Sequence, residues 1–328
     1  MPDQGDAPAA VPRRSLLRGL RDALLVTLIT LGLTLSLLEV ALRLFAPQIP
    51  VGIANNLYTP DPAAHYRLAP GAAVRFDSAE IHTDYRVNSQ GVREDHDFGP
   101  PAPDHVRMLV LGDSMTFGVG VDANQTFTHL LDGSPVAGGG TLETVNAGVS
   151  GYGPDNEVAW LHAHGWAFQP KILLVAFFVG NDVRDVMLGT DKTEVAGDGS
   201  VVVNEQVLRA RDRLRARSEA EVWLSYNSHA YIFLRRQWDA LLPAQRPPDL
   251  FDGPYIFLTP EPPALAAGWD QTLPLLDELR WKAEQHGAAF VVVVLPAREQ
   301  VVDRYWEENR HALSLLPEQL DREAPQRR

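Results

Sequence analysis

The chain has 328 residues and a formal net charge of −13, with 45% hydrophobic and 22% charged residues and no cysteine. The length suits one large domain or two small ones, and the proportions are those of a globular protein. The acidic balance repels nucleic-acid phosphates, so nucleic acid is not an expected partner. Without cysteine there are no disulfides, no cysteine–zinc sites and no lipid-modified N-terminal cysteine.

Residues 1–15 are polar, with Pro and Ala, and read as disordered. Residues 1–22 are taken as a cytoplasmic tail. Arg13, Arg14, Arg18 and Arg21 then precede an apolar run, Ala23 to Leu38, which Glu39 interrupts and Val40–Ala46 continues. As a helix this stretch reaches roughly 36 Å, enough to cross a bilayer core. Residues 23–46 are therefore read as a transmembrane helix. Glu39 and Arg43 are four apart and can pair near its far interface. A cleaved signal peptide is the alternative, but Pro47 after Ala46 fits a cleavage site badly. The arginines place the N-terminus in the cytoplasm and the rest of the chain in the periplasm or outside the cell.

Residues 47–105 read as a linker and a small β-rich lead-in, with short alternating pieces at Ala73–Phe76 and Thr83–Val87. Asp95-His96-Asp97 has the residue types of a metal or catalytic cluster. A solvated loop before Gly99-Pro100-Pro101 is the preferred reading, because no second ligand set stands at metal-site spacing.

Residues 106–328 read as an α/β domain. In Arg107–Gly118, RMLVLGDSMTFG, an apolar run stops at a glycine, and a helix is expected over Gln125–Leu131. Val119 after Gly118 rules out a phosphate loop. Gly118-Val119-Gly120 lacks the third glycine of a dinucleotide fingerprint. Thr116 stands where a nucleophile elbow needs its second glycine. What remains is Gly-Asp-Ser at a strand end, where a serine most often just caps the next helix.

Two further strands are expected, Leu142–Asn146 (LETVN) and Ile172–Phe178 (ILLVAFF). Ala147-Gly148-Val149-Ser150-Gly151-Tyr152-Gly153 follows the first, and Val179-Gly180-Asn181-Asp182 the second. Parallel strands put all three turns on one edge of the sheet. A serine, a glycine N–H and an asparagine amide converging there meet the demands of acyl transfer. A helix over Asn156–Gly165 carries His162 and His164 on different faces.

Residues 190–265 interrupt the alternation. Glu205–Arg217 reads as a charged helix. Ala220–Leu242 is amphipathic and carries Trp223, Tyr226, Tyr231, Phe233 and Trp238. Those aromatics fit a core face, a cap over the active edge or a surface near the membrane, and the sequence does not choose among them. A helix over Asp270–Gln285, a fourth strand at Ala289–Leu295 and a helix over Val301–Leu316 follow.

The blocks GDSMTFG, NAGVSGYG and GNDV together resemble the first three blocks of the SGNH (GDSL-type) hydrolases. The resemblance covers roughly residues 84–190 and, more loosely, the strand near 290. It implies a flavodoxin-like three-layer α/β/α sandwich with a parallel sheet. It implies Ser114 as nucleophile, with its own N–H, the N–H of Gly151 and the Asn181 side chain as oxyanion donors. Asp113 and Asp182 would support them.

The family's fourth block, Asp-x-x-His, is not found. Asp303 and His311 are eight apart, about 12 Å along a helix, and do not replace it. Three accounts remain: the chain stops before that block, hydrolysis has been lost, or another histidine serves. His96, His162, His164, His229 and His311 are the candidates, and the base stays unassigned. The expected activity is hydrolysis of an acyl ester, such as O-acetyl, of a carbohydrate or cell-envelope molecule. A glycan-binding envelope domain and an O-acyltransferase are the alternatives. No cofactor or metal is expected.

Overall fold

The computed structural model describes residues 13–46, 56–77, 82–189, 193–195, 201–203, 224, 228–241, 253–312 and 316–328. The expected helix at Glu205–Arg217, together with Trp223 and Tyr226, lies outside the described residues.

Helix α1 (Arg13–Phe45) comes first and begins inside the stretch expected to be disordered. Its Arg21–Phe45 portion is long and apolar enough to cross a membrane, and most of its apolar side chains are exposed, Leu42 being buried.

Two antiparallel hairpins form the lead-in: β1 (Tyr58–Asp61) with β2 (His65–Leu68), and β3 (Ala73–Asp77) with β4 (His82–Arg86). The second matches the expected pair of pieces. The first was not anticipated, because Pro60 and Asp61 weaken any strand signal in so short a run.

The main sheet contains β5 (His105–Gly112), β6 (Thr141–Asn146), β7 (Ile172–Phe178) and β10 (Ala289–Leu295), ordered β10-β7-β5-β6 and parallel throughout. These are the four strands expected from the apolar runs. A third small hairpin, β8 (Thr193–Val195) with β9 (Val201–Val203), lies between β7 and β10 in sequence.

The helices are α2 (Ser114–Phe117), α3 (Phe127–Leu131), α4 (Pro154–Ala163), α5 (Asp182–Leu188), α6 (His229–Leu241), α7 (Pro263–Gln285), α8 (Arg298–Val301) and α9 (Asp303–Ala312). Helix α7 starts seven residues earlier than expected, with Pro263 in its first turn, where a missing N–H costs nothing. The helix expected over Val301–Leu316 is broken at Val302, whose backbone is extended.

Both faces of the sheet are packed along β5 and β7, as the two-residue alternation of a strand requires, while residues 291–294 of β10, at the end of the strand order, stand exposed. Leu109, Leu111, Val145, Leu173 and Val175 face Trp160 and Leu161 of α4 and Leu279 and Ala283 of α7. Met108, Val110, Leu174 and Ala176 face the other way, against Phe127 of α3. The result is an α/β sandwich whose strand order reverses beside β5, at the carboxyl edge where β5 and β7 diverge to opposite flanks. In open α/β sheets that switch point is where ligands bind.

Candidate active site

Ser114 lies two residues past Gly112, the last residue of β5, and opens α2. Gly112 has φ +154°, and a Cβ there would sit 2.1 Å from Thr116 Oγ1, so only glycine allows the turn to close this tightly. The N-cap is Asp113, whose Oδ1 accepts the Met115 N–H at 2.8 Å. The single turn ends at Gly118 in the left-handed conformation, its N–H returning to the Ser114 carbonyl. The buried Arg93 guanidinium closes the far end. It donates to the Phe117 carbonyl, to that of Gly118 at 2.7 Å and to that of Val121 at 2.6 Å. The Tyr85 and Phe117 rings flank it. Ser114 itself is half-buried, between the exposed side chains of Met115 and Val119 and the buried strand end.

The loop after β6 is fixed against this turn. Asn146 Nδ2 donates to the Thr116 carbonyl at 2.9 Å, and Asn146 Oδ1 accepts the Gly148 N–H at 3.0 Å. The Val149 N–H reaches the Gly112 carbonyl at 3.0 Å. From the lead-in, Tyr66 Oη donates to the Ser150 carbonyl at 2.8 Å. Gly151 follows at φ +85°, and a Cβ there would stand 2.8 Å from Tyr66 Oη.

The loop after β7 supplies the third wall. Asn181 caps α5, and its Nδ2 donates to Asp185 Oδ2 at 2.8 Å. The nearby Asn181 side chain also favours the ionised form of the Asp113 carboxyl, against the rise that burial imposes. Asp182 Oδ2 accepts the Phe178 N–H at 2.7 Å. Asn181 Oδ1 and Asp182 Oδ1 are buried and take no hydrogen bond.

Burial raises the pKa of both Asp113 and Asp182. For Asp182 the rise is large, and the nearby Asp113 and Glu157 carboxylates add to it. The floor of the edge is thus a group of buried acids in which like charges resist full ionisation.

Ser114, Gly151 and Asn181 therefore lie on three turns at one carboxyl edge, with Asp113 and Asp182 beneath them. Asp185, Arg93, Asn146 and Glu94 were missed in the sequence. The i, i+4 spacing of Asn181 and Asp185 on a helix was a readable signal. The other three act through tertiary contacts and left none.

The histidines stand elsewhere. His96 pairs with Asp95 at 2.9 Å on an exposed loop, where Asp97 accepts from the N–H and hydroxyl of Ser89. No group that could hold a metal occurs among the described residues. His164 Nε2 lies 2.7 Å from Asp61 Oδ2, a well-made pair, but at the opposite end of α4 from the Gly151 turn, about 15 Å away along the axis. His162 is exposed on α4. His229 lies in the first turn of α6 and His311 near the end of α9. Among the described residues no histidine hydrogen-bonds Ser114, whose Oγ lies 3.4 Å from Asp113 Oδ2. A groove of about 500 Å³ lined by His105, Trp166, Lys171 and His286 sits at the other, amino edge of the sheet and is not part of this site.

No family model matches the sequence. No curated protein matches it either. Among solved structures, TesA is 17% identical over 63% of this chain and 69% of its own, with a TM-score of 0.28. AlinE4, an SGNH-hydrolase family esterase, is 18% identical over 66% of this chain and 99% of its own, with a TM-score of 0.22. Axe2, an acetylxylan esterase from Geobacillus stearothermophilus, is 16% identical over 59% of this chain and 77% of its own, with a TM-score of 0.24. Overlaps this shallow leave the chemistry to be argued from the chain's own geometry.

Proposed function

We propose that the chain is a membrane-anchored, extracytoplasmic serine ester hydrolase of the SGNH type, acting on an acyl ester, such as O-acetyl, of a carbohydrate or cell-envelope molecule. One observation carries this reading. Ser114 opens a helix at the switch point of a parallel sheet, its turn is bonded to the loop that carries Gly151, and Asn181 stands on the turn after the neighbouring strand β7.

In this reading Ser114 Oγ attacks the ester carbonyl carbon and its proton passes to a base. The carbonyl oxygen gains the negative charge, held by the N–H groups of Ser114 and Gly151 and by the Asn181 amide. Asp185 orients that amide through one N–H, which leaves the other for the oxyanion. Collapse expels the alcohol, and water then releases the acid from the acyl-enzyme. Donors fixed before the charge develops act without reorganising.

A second reading, a catalytically impaired glycan-binding domain, draws on the Ser114 hydroxyl having no histidine partner among the described residues. An O-acyltransferase differs from the hydrolase only in the acceptor that replaces water.

The test compares the full chain with Ser114→Ala on p-nitrophenyl acetate. Turnover that disappears with Ser114 supports the hydrolase. Turnover indifferent to Ser114 refutes the nucleophile. No turnover, with measurable binding of an acetylated glycan, selects the binding domain. Topology is tested separately: protease added to intact spheroplasts should digest the domain and spare the N-terminus, and protection of the whole chain would reverse the orientation.

A further inference from the structure

Glu39 is the one acid within the apolar part of α1, and it is not left bare. Its carboxylate accepts the Ser228 hydroxyl at 2.9 Å, the His229 N–H at 3.1 Å and the Ala230 N–H at 2.8 Å, and Arg43 Nε lies 2.7 Å away. The three donors on the α6 side are the N-terminus of α6 and the serine that precedes it. A helix start has N–H groups without intrahelical partners, and a carboxylate satisfies them well. Leu38, Glu39 and Leu42 form the less exposed face of α1, and Leu42 is 8% exposed. That face meets α6, while the rest of the span stays open.

The depth of this junction follows from the helix rise. Counted from Ala23, Glu39 stands about 24 Å along α1, where the hydrocarbon core is about 30 Å thick. The start of α6 is therefore fixed within about 6 Å of the outer boundary of the hydrocarbon core. Helix α6 carries Tyr231, Leu234 and Trp238 at spacings of three and four, one helical stripe, and Leu234 and Trp238 are 45% and 61% exposed. Two arginines, Arg235 and Arg236, interrupt the apolar character. Tryptophan, tyrosine and leucine on one face with basic residues beside them are the chemistry of a helix lying in the headgroup region.

We propose that α6 is an interfacial helix: its Leu234–Trp238 stripe lies in the outer membrane–water interface, and Glu39 of the membrane span holds it there. The proposal rests on α1 spanning the bilayer. Its consequence is that the α/β domain is held at a fixed height and orientation over the outer leaflet rather than swinging on a free linker.

The chain has no cysteine, so a single introduced thiol takes a nitroxide label uniquely. The full-length protein is reconstituted in vesicles of phosphatidylcholine and phosphatidylglycerol. Leu234→Cys and Trp238→Cys are labelled, with Leu33→Cys in α1 as the bilayer control and Trp281→Cys on the exposed face of α7 as the aqueous control. Collision with oxygen, which concentrates in lipid, is compared with collision with a water-soluble nickel chelate.

The expected result is that labels at 234 and 238 report lipid contact, at lesser depth than 33, while 281 reports water. Labels at 234 and 238 that behave like 281 while 33 is deep would overturn the proposal with the anchor intact. An aqueous signal at 33 would overturn the anchor reading, and the proposal with it. In the Trp238→Cys background, Glu39→Ala should release the label into water while a label at 33 stays deep. An unchanged depth at 238 would overturn the role of Glu39. Circular dichroism of Glu39→Ala, and the partial retention expected of Glu39→Gln, separate release of α6 from general unfolding.

Discussion

Gly148 is the point at which the loop after β6 touches the backbone behind Ser114. A Cβ built there lies 2.3 Å from the Phe117 nitrogen, 2.7 Å from the Thr116 carbonyl carbon and 2.8 Å from Thr116 Cβ. Gly148 is not among the glycines held at positive φ, so Gly148→Ala acts through contact rather than through left-handed backbone strain. None of the three atoms is the far end of a flexible side chain, and an ordinary contact needs about 3.5 Å, so the loop must retreat by about 1 Å. Overpacking of this kind costs about 1–3 kcal/mol of stability. The same displacement carries Gly151 away from Ser114, and an error of about 1 Å between reacting groups costs on the order of 100-fold in rate. The assay is initial rate on p-nitrophenyl acetate beside urea unfolding, with Gly99→Ala, where nothing lies within 4 Å, as the control. Wild-type turnover together with a wild-type unfolding midpoint would refute the contact. Lowered stability with unchanged turnover would refute the dependence of the chemistry on this loop.

Asn181→Ala removes one oxyanion donor and should lower kcat by about 10²–10³-fold. An unchanged kcat would mean that the amide serves only to hold Asp185. Burial pushes the Glu94 carboxyl, which accepts the Asn146 N–H at 3.1 Å, up to about 7. The fold therefore prefers the protonated acid, and stability present below about pH 4.5 is lost as the pH climbs to 7, by about 3 kcal/mol at most. Glu94→Gln should flatten that part of the pH–stability curve, and parallel curves for the two proteins would contradict the assignment. Arg107, 2% exposed, donates to Glu143 at 2.7 Å and to the Phe168 carbonyl at 2.7 Å. Arg107→Met should cost about 1–3 kcal/mol in urea unfolding, less than a fully buried pair because Glu143 keeps partial access to water. A change below the error of the measurement would show that the pair is neutral.

The sheet was legible because its strands carry their burial in their composition. MLVLG and ILLVAFF are continuous apolar runs, the composition of a strand covered on both faces, and AFVVVVL carries the same composition at the sheet's edge, where residues 291–294 stand exposed. The turns were legible for a related reason. Gly112 and Gly151 hold positive φ, and a chain that must turn sharply at a strand end leaves glycines in the sequence. The lead-in was harder to read because its reasons are tertiary. Tyr66 of β2 is fully buried, donates through its Oη to the Ser150 carbonyl and packs edge-on against Tyr152, 86 residues away in the chain. No local periodicity encodes such a contact.

Glu39 shows where reading a sequence by neighbourhood stops. Its local environment predicts a pair with Arg43 four residues on, and that pair exists. The partners that explain its place in an apolar span are Ser228, His229 and Ala230, some 190 residues later. An acid in hydrocarbon is costly unless polar groups meet it, so its presence demands partners that the span does not itself contain. A helix start is a ready source, because its N–H groups come in a cluster and already need an acceptor. Each junction half is thus unsatisfied alone, and each satisfies the other. The same logic explains why Tyr231 and Trp238 resisted interpretation. Their spacing shows a helix with an apolar stripe, but what the stripe faces depends on where the helix begins, and Glu39, in another part of the chain, meets that start.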